Sequence, residues 1–113
     1  MKDVLSALLA SRLPFPGLAA WAARSSDRTV EHQSYVNWLE PSKTVQAFNY
    51  LFLAAETVQL HKFEPRRLSW SFEHVNVHLV VRPDTESLAL FLTKTSEVRR
   101  EDVEGILVEF LNT

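Results

Sequence analysis

The sequence predicts an α+β domain: a five-stranded antiparallel sheet covered by helices on both faces, in the order α-β-β-α-β-β-β-α. Three observations predict it. Segments that alternate in polarity recur at 66–73, 75–81 and 86–94 of the 113-residue chain, which is the two-residue period of strands. The last of these is apolar on both sides, with Leu88, Leu90 and Leu92 against Ala89 and Phe91; such a strand belongs in the middle of a sheet between helical layers. Two further segments, 41–62 and 96–113, carry apolar residues at helical spacing.

In chain order, "DVLSALLASRL" sets Val4, Leu5, Leu8 and Leu9 on one helical face, with Asp3 as N-cap. "PFPG" at 14–17 ends that helix, because two prolines cannot continue it. "LAAWAARSS" (18–26) has the alanine content of a helix. It is read as a strand, since it follows a breaker and its small residues would let a helix pack close on one sheet face. A turn at Ser26-Asp27 leads to a second strand over 28–39. Glu31, His32 and Gln33 make that strand polar, as suits a sheet edge.

Pro41 fits the first turn of a helix reaching about Lys62, and Pro65 closes the connection. In 66–73, Leu68, Trp70 and Phe72 alternate with Arg67, Ser69 and Ser71. In 75–81, Val75, Val77, Leu79 and Val81 share one side. The last helix has Val103, Ile106, Leu107, Phe110 and Leu111 on its inner face, with Ser96 as N-cap and Glu97, Glu101 and Asp102 near its positive end.

Composition narrows function. The length suits a single domain over 1–113. The net charge is −2, and no basic stripe is present to neutralise phosphates, which argues against nucleic acid as partner. The absence of cysteine removes disulfides, thiolate metal sites and a cysteine nucleophile. No apolar run has the length of a signal peptide or membrane span, so the expectation is a cytoplasmic protein without a membrane partner. With two glycines, Gly17 and Gly105, no phosphate-cradling loop can be built, and no Gly-x-Ser-x-Gly elbow is present for a hydrolase nucleophile. His74 and His78, four apart on a strand, would lie about 13 Å from each other, too far to share an ion. The expectation is a protein that is not an enzyme and carries no cofactor or metal. Trp21 and Trp70 read as core, whereas Trp38, close to Pro41, reads as partly exposed.

The middle helix "TVQAFNYLFLAAETVQL" (44–60) is apolar around more of its circumference than one buried face requires. Val45, Ala47, Phe48, Leu51, Phe52, Ala54, Ala55 and Val58 suffice to cover a sheet face. Tyr50, Leu53 and Leu60 form a second row on the opposite side, beside Gln46, Asn49, Glu56 and Thr57. An aligned apolar row points to a partner; the competing reading is that the chain's own ends fold over it.

The short helix "VLSALLA", the helix ending "LFLAAETVQL" and the stretch "VNVHLVVRPDTESLALFLTKTS" with "VEGILVEFL" resemble the roadblock/dynein light chain family over nearly the whole chain. The resemblance implies a non-enzymatic dimeric interaction module. It implies a dimer surface at Tyr50, Leu53, Thr57, Leu60, Leu68 and Trp70, on the central helix and the strand at 66–73. It further implies a role in scaffolding or regulating a small Ras-like GTPase. The sequence departs from the family at Ser26-Asp27-Arg28, where a glycine is frequent, and in the lead "NWLEPSK". The alternative is a small-molecule sensory domain of PAS-like or profilin-like type, which would need a pocket between sheet and helix with convergent polar groups.

Overall fold

The computed structural model describes residues 2–25, 27–60, 67–82, 86–95 and 97–112. The elements are α1 (Lys2–Arg12), β1 (Leu18–Arg24), β2 (Val30–Ser34), α2 (Pro41–Leu60), β3 (Arg67–Ser71), β4 (Val75–Val81), β5 (Ser87–Thr93) and α3 (Arg100–Asn112). Their order is the predicted one. All strand pairs are antiparallel, and the sheet runs β2-β1-β5-β4-β3. The doubly apolar β5 is central, and the polar β2 is an edge.

Each sheet face has its own core. On one, Leu8 and Leu9 of α1 and Ile106, Leu107 and Phe110 of α3 meet Trp21, Leu88, Leu90 and Leu92. On the other, Phe48 and Ala55 of α2 meet Ala20, Ala22, Ala89, Val77, Leu79 and Phe91. This double coverage explains the alanine-rich β1, which is a strand. Ala22 pairs with Ala89 across the β1–β5 ladder, and these short side chains leave room for the fully buried Phe48 ring. Tertiary packing thereby overrides the helical preference of alanine.

Several boundaries differ from expectation. β2 ends at Ser34 rather than running to residue 39. The Ser34 hydroxyl lies 3.1 Å from the carbonyl oxygen of Val36 and 2.5 Å from that of Leu39, folding the chain back on itself where a ladder would continue. α3 begins at Arg100, and Ser96, the expected N-cap, lies outside the described residues. The Arg99 carbonyl accepts from the Asp102 and Val103 amides. Val98 has to stay outside the helix because it packs over Gly17 and the α1–α3 core. Phe72 lies beyond the end of β3, and His74 precedes β4 rather than sharing its face with His78. α1 begins at Lys2, which places Asp3 inside its first turn; the side chains of Asp3, Val4 and Leu5 lie outside the described set. The first hairpin turns without glycine. Arg28 adopts φ 70°, while the Asp27 carboxylate accepts from the Ser25 hydroxyl at 2.5 Å and the Thr29 amide at 2.9 Å.

Candidate protein-binding surface

α2 starts where Glu40 and Pro41 meet. Proline is tolerated at the first helical position, since no intrahelical partner exists there for an amide. The Glu40 carbonyl accepts from the amides of Lys43 and Thr44, and the buried Thr44 hydroxyl points to that same carbonyl at 3.3 Å. Phe48, Phe52 and Ala55 form the buried stripe. Arg24 lies over the Phe52 ring, 4.4 Å from its centroid, closing the stripe with a cation–π contact.

On the outer side, Tyr50 is 73% exposed and Leu53 58%. Thr57 is also exposed, and its hydroxyl is satisfied by the Leu53 carbonyl at 2.9 Å, so it asks nothing polar of a neighbour. Leu60 closes α2, and its side chain lies outside the described set. The described chain does not fold over Tyr50 or Leu53, as the competing reading required.

The position of α2 over the sheet adds what periodicity could not show. The helix packs most closely on β1 and β2. Leu68 and Trp70 point to the α2 side but stay half-buried at that margin, as do Val75 and Val81. β3 is the sheet edge and pairs only with β4 among the described residues. A greasy shelf thus lies on the same sheet face as α2, and among the described residues no strand pairs with the outer edge of β3 beside it. Trp38, 54% exposed, precedes α2, as its place near Pro41 suggested.

The opposite face carries a polar feature that the sequence reading missed. An open cavity of about 270 Å³ lies between β3–β5 and the start of α3. Arg67 donates to both carboxylate oxygens of Glu104, at 2.6 and 2.9 Å. This two-pronged pair holds the Glu104 carboxyl below its ordinary value and raises Arg67. Ser69 and the Nδ1 of His78 are 2.9 Å apart. Burial pushes the His78 imidazole down, Arg67 adds to that, and Glu104 opposes it. The signal was present as polar positions 67, 69, 76 and 78 on one sheet face, but only the strand pairing brings them together. Among the described residues, no three His, Asp or Glu side chains converge to hold a metal ion, and no helix is long and apolar enough to cross a membrane.

No protein-family model and no curated protein matches the sequence. Solved structures match by shape. MglB of Myxococcus xanthus superposes with a TM-score of 0.58 over 94% of this chain and 80% of its own, at 8% identity. A second structure, described as MglB with tetrameric arrangement, gives 0.58 over 97% of this chain and 87% of its own, at 12% identity. With two helices on one face of a five-stranded antiparallel sheet and one on the other, the chain has the roadblock fold shared by these structures.

Proposed function

We propose that this chain is a dimeric, non-enzymatic interaction module whose seam is formed by α2 and β3. The observation that supports the reading is the off-centre seat of α2. It leaves Leu68 and Trp70 half-covered beside an edge with which no further described strand pairs, while Tyr50 and Leu53 stand exposed on the helix. A second copy turned about a two-fold axis would lay its own row on this shelf, because an isologous interface pairs a patch with itself. Burying each such side chain is worth about 1.5–3 kcal/mol. Thr57, and Leu60 by its place in the sequence row, complete the surface. The finer role, scaffolding or regulating a small Ras-like GTPase, rests on the family resemblance and the shared fold.

Light scattering tests the seam. We expect a mass near twice 13.0 kDa for the native chain. The Tyr50→Glu/Leu53→Glu variant should fall to the monomer mass with an unchanged circular dichroism spectrum. A native chain that stays monomeric at all concentrations, or a variant that stays dimeric, sinks the reading. A GTPase role would show as binding of a Ras-like GTPase that depends on its nucleotide state.

A further inference from the structure

The cavity on the α3 face is chemically one-sided. Arg67 from β3, Lys94 from the turn after β5 and Arg100 from the first turn of α3 all line it, and among the described residues Glu104 is the one carboxylate in its wall. Among the described residues that gives three cations against one anion, a local balance of +2, in a chain whose net charge is −2. Glu97, Glu101 and Asp102 belong to the same segment but do not line the cavity.

The single carboxylate is already engaged. Both of its oxygens are held by Arg67, which fixes the guanidinium in place and leaves part of its donor set uncommitted. Lys94 donates to the Ser71 hydroxyl at 3.0 Å, a neutral partner that leaves its charge uncompensated. Arg100 is exposed; among the described residues it is attracted to Glu104, with no hydrogen bond between the two. The Asn76 amide and the Thr95 hydroxyl add polar groups to the wall.

We infer that this cavity is a binding site for a phosphoryl dianion. Two arginines and a lysine around a surplus of two charges match a doubly charged tetrahedral oxyanion better than a single carboxylate, because guanidinium forks and the ammonium point charge can share its oxygens. The volume of about 270 Å³ sits just under the ~300–1,000 Å³ of sites for drug-sized ligands. It therefore fits an inorganic phosphate or a small phosphomonoester. The inference does not depend on the dimer seam, which lies on the opposite face of the sheet.

Amide chemical shifts, followed by NMR during titration with inorganic phosphate and separately with O-phosphoserine at constant ionic strength, test it. Saturable shifts at Lys94, Thr95 and Arg100 are expected with either probe. Tighter binding of O-phosphoserine would identify a phosphomonoester as the ligand type, and equal binding would identify the free ion. The Lys94→Gln/Arg100→Gln variant alters two exposed side chains and should keep the native melting temperature while weakening binding by about tenfold or more. Linear, non-saturating shifts, native-like affinity in the variant, or acetate binding as tightly as phosphate would each overturn the assignment.

Discussion

At the tip of the first hairpin, Arg28 holds φ at 70°, a conformation that costs a side-chain-bearing residue about 1–2 kcal/mol. The Asp27 hydrogen bonds to Ser25 and Thr29 hold the turn there. Arg28→Gly should therefore raise stability by about 0.5–1 kcal/mol after the extra entropy of glycine is subtracted, read as a higher urea midpoint at constant slope. Gly17 is the opposite case. It sits at φ +87°, and an added Cβ would lie 2.3 Å from Val98 Cγ2. Gly17→Ala should cost at least about 2 kcal/mol, since backbone strain and overlap add. His78 makes a pH prediction. Its folded-state pKa is lowered from 6.5, so between that lowered value and 6.5 the unfolded chain binds more protons than the folded one. The contribution to stability is whole above pH 6.5 and is lost as pH falls below it. In His78→Gln this part of the slope of melting temperature against pH should vanish.

At the scale of elements, α2 shows what a sequence can and cannot reveal. Helical periodicity separated the buried Phe48, Phe52 and Ala55 from the exposed Tyr50 and Leu53, because both faces are properties of one local segment. The seat of the helix on β1 and β2 is set by where the alanine floor lies. That floor exists only once Ala22 and Ala89 are neighbours. Phe48→Ala should cost about 3–5 kcal/mol, as the ring is fully buried and the sheet beneath it cannot collapse to fill the void. Urea denaturation would measure it. The polar cavity was illegible for a related reason. Arg67 and Glu104 are 37 positions apart and meet through the packing of α3 on the sheet. The β2 boundary was misplaced because Ser34 bonds to carbonyls up to five residues ahead, a local rival to the ladder that polarity patterns do not register.

For the whole molecule, the order of elements follows from local patterns, and the order of strands in space does not. The doubly apolar 86–94 segment did identify its own central place, and polar Glu31, His32 and Gln33 identified an edge. The other edge, β3, was not distinguishable by composition, because Leu68 and Trp70 look like ordinary inward residues. Two functions could occupy this molecule without conflict: a partner on the α2 side and an anion on the α3 side. Since Ser69 and Arg67 belong to the edge strand β3 and also reach the cavity wall or its neighbours, the two surfaces share a single element of structure.

The central position of β5 has a consequence for biosynthesis. The β1–β2 hairpin and the β3–β4 hairpin are both complete in the chain before residues 87–93 are made, yet neither touches the other through the sheet until β5 inserts between them. Half-sheets that form before the last strand emerges therefore have unpaired inner edges. Those edges are hydrophobic on β1 and β4, and exposed strand edges of this kind invite mispairing with other chains. Translation that pauses just before Ser87 would lengthen the interval in which such mispairing can occur, whereas release of the finished strand closes both edges at once.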